Sequence, residues 1–163
     1  MKLFVTITCF ISCLLNICYS QNAATHFKHI GQLEIVKDSL PKRINESSGL
    51  IFYRNCLWTH NDSGDGPYIY VIDTTGKKIL QVITVDDAQN IDWEEITQDH
   101  DNIYIGDFGN NYGQRNLLTI YKIKKKSIPI KGNCTVKAEK IQFSYKDMPL
   151  AGLVPKRSAY DCE

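Results

Sequence analysis

Short runs of alternating apolar and polar residues fill most of the chain, and turn-forming residues separate these runs. Eight runs rich in Ile, Val, Tyr and Thr occupy residues 49–53, 56–60, 68–73, 79–85, 94–97, 103–107, 117–123 and 135–145. Clusters of Gly, Asn, Asp and Pro lie between them. Short strands with such even spacing are typical of a sandwich, barrel or propeller, so the pattern predicts an all-β fold.

The strand pattern also repeats within the chain. Residues 46–50 align with residues 92–96, and residues 57–61 align with residues 103–107, both at a separation of 46 positions. A period of about 40–50 residues carrying four strands is typical of propeller blades. The sequence therefore predicts a partial β-propeller. The alternative is a complete small β-sandwich in which the repeat is accidental.

The predicted propeller segments cover residues 21–163. They are a closing strand at residues 31–37, blade one at about 46–90, blade two at about 92–145 and the start of blade three at 158–163. Propellers have four to eight blades, because each blade buries its faces against its neighbours. We therefore expect the chain to be the N-terminal part of a longer domain.

Residues 1–20 have the pattern of a secretory signal peptide. Lys2 precedes a short apolar stretch, and the small residues Cys18 and Ser20 precede a cleavage site before Gln21. The stretch is shorter than the roughly 20 residues that a membrane span needs. We predict an exported chain, secreted, periplasmic or at the cell surface, with no transmembrane span in the mature part.

Composition and charge restrict the range of functions that the chain could have. The 163 residues are 43% hydrophobic and 23% charged, as in an ordinary globular domain. The formal net charge is +1. A nucleic-acid partner usually needs a basic face, so this balance argues against one. The expected partner is an unidentified ligand or a protein at the cell surface.

Four segments resemble a family of secreted bacterial β-propellers of largely uncharacterised function. They are ESSGL at 46–50, LWTHNDSG at 57–64, DWEEI at 92–96 and YIGDFGNN at 104–111, joined by Arg115 and by the Asp-x-Glu at 161–163. In a wider grouping, these segments are also similar to NHL-type and phytase- or esterase-like propellers. The resemblance implies a ring of six or seven blades in the intact protein. It implies no settled activity, because a fold alone does not define a function.

Repeated acidic residues are the candidate metal ligands. Asp92 and Glu94 lie two positions apart and would share one face of a strand. A ring of carboxylate oxygens would suit Ca²⁺, which takes six to eight oxygen ligands. The candidate set is Glu46, Asp92, Glu94, Asp107, Asp161 and Glu163. The alternative is that these acids accept hydrogen bonds that hold the blades together.

Polar residues after the second strand of each blade are candidates for a ligand-binding rim. They are His60, Asn61, Asp62, Asn110 and Asn111. A histidine beside acids can act as a general base or a metal ligand. The alternative is that these residues simply form turns and connecting loops.

Two functions are compatible with this pattern. The first is an exported β-propeller module that binds or scaffolds an unknown ligand. The second is a metal-dependent hydrolase of the phytase-, lactonase- or esterase-like kind, in which channel carboxylates hold Ca²⁺. No Gly-x-Ser-x-Gly nucleophile motif is present, so the sequence itself leaves catalysis open.

Overall fold

The computed structural model describes residues 40–146 and Tyr160, all within the compact unit Val36–Glu163. The predicted signal peptide at 1–20 and closing strand at 31–37 lie outside the described residues, as does most of the predicted third-blade start at 158–163. Among the helices described, none has the length and apolar character needed to cross a membrane.

The described residues form an all-β fold, which confirms the predicted all-β class but does not confirm a partial β-propeller. The strands are β1 (Ser47–Tyr53), β2 (Cys56–Asn61), β3 (Tyr68–Ile72), β4 (Ile79–Asp86), β5 (Trp93–Gln98), β6 (Asn102–Asp107), β7 (Leu118–Lys124) and β8 (Cys134–Phe143). Two short 3₁₀ turns occupy Lys42–Ile44 and Lys125–Ser127. Every run of alternating residues forms a strand, with bounds that differ from the prediction by one or two residues.

The strands form two four-stranded antiparallel meanders, β1–β4 and β5–β8. Their last strands, β4 and β8, pair in parallel from Ile83 and Cys134 to Asp86 and Lys137. This pairing joins the meanders into one eight-stranded sheet that is nearly closed into a barrel. Two separate blades were expected instead. The unpaired edges of two outer strands are a ready template for each other, which accounts for the added ladder.

Strand pairing follows the same register in both meanders. Ser47 pairs with Asn61 in the first, and Trp93 pairs with Asp107 in the second, 46 positions later on each strand. Both pairings contain an irregularity just after this first pair. The third strands, β3 and β7, correspond at a displacement of 51 positions. With that displacement, the pair Leu57–Ile72 of the β2–β3 ladder matches the pair Ile103–Ile123 of the β6–β7 ladder. Residues related in this way are called counterparts below.

The main core lies between the two meanders. The first meander contributes the Trp58 face, made of Trp58, Ile69, Val71, Ile83 and Val85. The second contributes the Ile105 face, made of Ile96, Ile103, Ile105, Tyr121 and Ile123, with Trp93 beside them. Alternation along each strand turns the remaining side chains to the opposite faces. We call these the Leu50 face on the first meander and the Phe108 face on the second.

The first strands of the two meanders approach closely. Ser48 Oγ donates to the carbonyl oxygen of Glu94 at 2.9 Å, and Gln98 Nε2 donates to that of Phe52 at 2.9 Å. Gly49 permits this approach, since a Cβ at that position would lie 2.7 Å from the backbone nitrogen of Ile96. Strands β1 and β5 therefore meet along a seam that closes one side of the core.

Candidate functional site

Three carboxylates gather where β2 ends and β5 begins. Asp62 follows β2, Asp92 precedes β5, and Glu94 is the second residue of β5. One oxygen from each lies within 4.8 Å of the others, and all three residues are half-buried. Carboxylate oxygens at such spacing are the donors that Ca²⁺ prefers. We call these three residues the acid group. Asp92 and Glu94 were predicted metal ligands, whereas Asp62 was predicted for the rim.

A glycine lets the loop after β6 lie directly against the acid group. A Cβ at Gly109 would lie 2.2 Å from Glu94 Oε1 and 2.4 Å from Asp92 Oδ2. The Gly109 backbone N–H also donates to the carbonyl oxygen of Asp92 at 3.2 Å. Any larger residue would push the loop away from the two carboxylates, so Gly109 sets the depth of the site.

A cavity of about 270 Å³ adjoins the acid group, and we call it the loop cleft. It is lined by Ser63, Ile91, Asp92, Asn110, Asn111, Tyr112, Gln114 and Arg115. Tyr112 lies at the edge of this cavity and is 63% exposed. The predicted rim residues Asn110 and Asn111 and the predicted ligand Asp92 therefore line one cavity. A concave site with several convergent polar groups is the usual form of a small-molecule site.

Asp107 supports the site through hydrogen bonds to Asp92 and Arg115 and is not a member of the acid group. It is fully buried, and its Oδ1 accepts hydrogen bonds from Arg115 Nη2 at 2.8 Å and from the Asp92 N–H at 3.0 Å. Burial raises the pKa of the Asp107 carboxyl, while the Arg115 charge acts in the opposite direction. Its contacts match the alternative role, in which a repeated acid accepts hydrogen bonds within the fold.

Asn110 shapes the cleft through the backbone. Its Oδ1 accepts the Arg115 N–H at 2.9 Å, and its Nδ2 donates to the Arg115 carbonyl oxygen at 3.1 Å. Arg115 in turn donates through Nη1 to the carbonyl oxygen of Gly109 at 2.8 Å. These bonds close the loop between β6 and β7, so Asn110 and Arg115 act as positioning residues.

His60 lies in the core between the meanders, not at a rim. It is fully buried, and its ring meets the Trp93 ring edge-on with 5.7 Å between centroids. Nδ1 lies 3.0 Å from the Asn61 carbonyl oxygen, and Nε2 has no hydrogen-bond partner in the described part of the chain. Burial lowers the pKa of His60, although the hydrogen bond with the Asn61 carbonyl and the nearby charges of Glu95 and Asp62 oppose this shift.

Asn61 is buried as well, but on the face of β2 opposite His60, in a network that the sequence did not reveal. Its Nδ2 donates to the Arg43 carbonyl oxygen and to Asp65 Oδ2, both at 2.8 Å. The Tyr70 hydroxyl donates to the same Asp65 oxygen at 2.6 Å. Burial and the bond to Asp65 raise the pKa of Tyr70 to about 12. No motif or spacing in the sequence links these residues.

Glu46 is the other predicted metal ligand that the structure describes, and it lies outside the acid group. Glu46 is exposed, and its backbone carbonyl, not its carboxylate, accepts the Asp62 N–H at 2.9 Å. Asp161 and Glu163 lie outside the described residues. Ser63, Tyr112 and Gln114 also line the loop cleft, although they were not among the predicted rim residues. The polar composition of the loop after β6 was the only sequence signal near Tyr112 and Gln114.

No protein-family model, curated protein or solved structure matches this chain. The fold and the site therefore define only the structural class of the protein. It is an all-β protein of two four-stranded meanders, with an acid group and an adjoining cleft. The resemblance to secreted bacterial β-propellers remains a prediction.

Proposed function

We propose that this protein is an exported β-propeller module that binds or scaffolds a ligand through the loop cleft. The observation that carries the proposal is the gathering of Asp92, Asn111 and Tyr112 around one cavity of about 270 Å³. Polar groups that converge on a concave surface fix the orientation of a bound molecule.

The propeller part of the proposal is supported by the matching registers of the two meanders. The β1–β2 and β5–β6 ladders correspond at 46 positions, which is the period found in the sequence. Each meander also buries one face against the other. Units that repeat at this period and stack face to face are what a propeller requires.

Thermal unfolding tests the binding role, because a ligand that binds only the native state raises the melting temperature. We would use neutral disaccharides, dipeptides and inorganic phosphate as probes on the full chain. We expect at least one probe class to raise the melting temperature of the wild type but not that of Tyr112→Ala. Ile130→Ala is the matched control, since Ile130 is exposed in the β7–β8 connection, outside the cleft. Equal shifts in all three proteins, or no shift, would count against the cleft.

The second candidate is a calcium-dependent hydrolase, and the acid group favours it. Three half-buried carboxylates with oxygens within 4.8 Å of one another offer the donors for a hard cation. Such a cation would act as a Lewis acid on an ester or phosphoester oxygen. Loop-cleft residues would then surround the substrate beside it.

Calcium titration separates the two candidates. The hydrolase predicts that Ca²⁺ raises the melting temperature, that EDTA reverses the rise, and that Glu94→Gln abolishes it. Glu95→Gln is the matched control, because the neighbouring Glu95 lies outside the acid group and bonds its own strand at the Ile96 N–H. Stabilisation without hydrolysis of p-nitrophenyl acetate or p-nitrophenyl phosphate would leave a calcium-binding module. No stabilisation at all would remove the second candidate.

A further inference from the structure

The positive charges are concentrated in and around the last two strands, although the net charge of the chain is only +1. Residues 118–146, from the start of β7 onward, contain eight lysines and one acidic residue. Residues 40–117 contain six basic and twelve acidic residues. A surface dominated by one sign of charge attracts ligands of the opposite sign. The β7–β8 part of the second meander is therefore suited to an anionic ligand.

Three of these lysines lie on the Phe108 face. Lys122 pairs with Tyr104 of that face, and Lys124 lies two positions further along β7. On β8, Lys137 lies two positions before Glu139, which pairs with Lys122. Strand lysines often protect a sheet edge, but β7 pairs with β6 and β8, and β8 also pairs with β4. Edge protection therefore does not explain them.

A short turn after β7 adds two further lysines. Lys125 is buried, its N–H donates to the Asp101 carbonyl oxygen at 2.8 Å, and its Nζ donates to the Asp99 carbonyl oxygen at 2.6 Å. These bonds hold the backbone of the turn against the loop between β5 and β6. Lys124 and Lys126 are exposed on either side of Lys125.

Lys124 lines two cavities, which together we call the basic groove. The first, of about 450 Å³, is lined by His100, Asp101, Asn102, Lys124, Lys125 and Lys126. The second, of about 500 Å³, is lined by Lys122, Lys124, Ser127, Thr135, Lys137 and Glu139 among others. Among the described residues, five lysines and two acidic residues line the groove, so its net charge is positive. Because the cavities share Lys124, they form one elongated site.

Most exposed lysines of the basic groove have no ion-pair partner within the protein. Lys122 Nζ lies 3.4 Å from Glu139 Oε2. Lys124, Lys126 and Lys137 form no ion pair with any residue that the structure describes. Their ammonium groups can therefore donate to the anionic oxygens of a ligand, and such charge-assisted hydrogen bonds are stronger than neutral ones.

The other lining residues favour a sugar chain over a nucleic acid. Among the described residues, no phenylalanine, tyrosine or tryptophan lines the groove, so it lacks the rings on which single-stranded bases stack. Ser127 and Thr135 place hydroxyl groups beside the lysines. A hydroxyl both donates and accepts hydrogen bonds, so these groups suit the hydroxyls of a sugar.

We propose that the basic groove binds an acidic oligosaccharide, a sugar chain that carries carboxylate or sulfate groups. Lys124 contributes to both cavities, Lys126 only to the first and Lys137 only to the second. The basic groove shares no residue with the loop cleft or the acid group. It can therefore fail or succeed independently of the proposed function.

Fluorescence anisotropy with the full chain tests this site, with labelled hexasaccharides of chondroitin sulfate and of polygalacturonate as probes. We expect saturable binding of at least one probe, which weakens as the salt concentration rises because salt screens exposed charges. Lys124→Gln should weaken binding roughly tenfold, as the loss of a charged hydrogen bond does. Lys131→Gln is the matched control, since Lys131 is an exposed lysine of the same segment that lines neither cavity. Absence of saturable binding, or an equal loss with Lys131→Gln, would overturn the proposal.

Two further variants test whether one ligand occupies the whole groove. Lys126→Gln alters only the first cavity, and Lys137→Gln alters only the second. Each should weaken binding of the hexasaccharide by about threefold, as is usual for one exposed charge pair. A loss in only one of the two variants would contradict the elongated site.

Unlabelled competitors test the chemical class of the ligand. Maltohexaose is neutral and should not displace the probe. Single-stranded oligothymidylate of equal charge should displace it less well than the unlabelled acidic hexasaccharide. Displacement by maltohexaose, or stronger displacement by oligothymidylate, would reject an acidic sugar chain as the ligand.

Near-UV circular dichroism must show that each variant retains wild-type packing. Lys124 is exposed and belongs to no ion pair among the described residues, so Lys124→Gln should fold normally. Should it fail to do so, the double variant Lys126→Gln with Lys137→Gln replaces it. Unchanged binding of both probes in that double variant would count against the basic groove.

Discussion

Counterpart residues in the two meanders have the same strand pairing but different surroundings. Trp58 is buried in the core, whereas its counterpart Tyr104 is half-buried on the Phe108 face and donates its hydroxyl to Asp99 Oδ2 at 2.6 Å. His60 is fully buried, whereas its counterpart is Gly106, with the Phe108 ring above it. Backbone register is thus shared, and the side chain at each position follows what covers that position. The Trp58 face, which packs on the other meander, carries Trp58 and His60, whereas the outward Phe108 face has Tyr104 and Gly106 at the same positions.

The largest expected effect comes from truncating the core aromatic and its counterpart. Trp58→Ala should lower the free energy of unfolding by about 3–5 kcal/mol, because a large buried side chain leaves a cavity. Tyr104→Ala should cost only about 1 kcal/mol, as is usual for a partly exposed side chain. Urea unfolding of both variants measures the difference. Equal losses would show that the two faces are not differently covered.

The next effect concerns the strand ends, where the first meander has Asn61 and the second has Asp107. Arg115→Met should destabilise the fold by about 3 kcal/mol, because it leaves the Asp107 carboxylate buried without its cation. Adding Asp107→Asn should recover most of this loss, since the buried charge is then removed as well. Thermal unfolding of the single and double variants provides the measurement. A double variant no more stable than Arg115→Met would contradict the ion-pair role.

The smallest effect is a pH dependence that His60 brings to the first meander and that Gly106 cannot bring to the second. Burial lowers the pKa of His60 below its ordinary value of 6.5, so the unfolded chain binds more protons than the folded one. The stability contributed by the buried neutral His60 ring is therefore fully present above pH 6.5. It is lost as the pH falls from 6.5 through the folded-state pKa.

His60→Leu should flatten that part of the pH profile of the melting temperature. His100→Leu is the control, because His100 is exposed and pairs only with its neighbour Asp101 in the described contacts. Parallel profiles for wild type and His60→Leu below pH 6.5 would show that another group carries the dependence.

Much of the fold could be predicted from the sequence because a strand is a local structure. Alternation places Trp58 and His60 on one side of β2 and Thr59 on the other, whatever the rest of the chain does. Turn residues such as Gly64 and Gly76, both with positive φ, mark where strands end. The predicted repeat at 46 positions came from similar residues at positions 46–50 and 92–96 and at 57–61 and 103–107. These signals need no knowledge of distant contacts.

The candidate site was only partly predictable. Asp92 and Glu94 could be paired because they are close in sequence. Asp62 joins them through the packing of the two meanders, which brings residues 30 positions apart to one place. Asp107 was grouped with the acids by its repeat position. Arg115 decides its role instead, because the guanidinium, eight positions further along the chain, pairs with the carboxylate.

By itself, the sequence of this protein determined the strands, their turns and the displacement that relates the two meanders, since each depends on neighbours along the chain. Only the tertiary structure decided the parallel pairing of β4 with β8, the burial of His60 and the membership of the acid group. The physical reason is that burial and pairing depend on which surfaces meet. Two faces with nearly the same pattern differ once one of them is covered and the other is not.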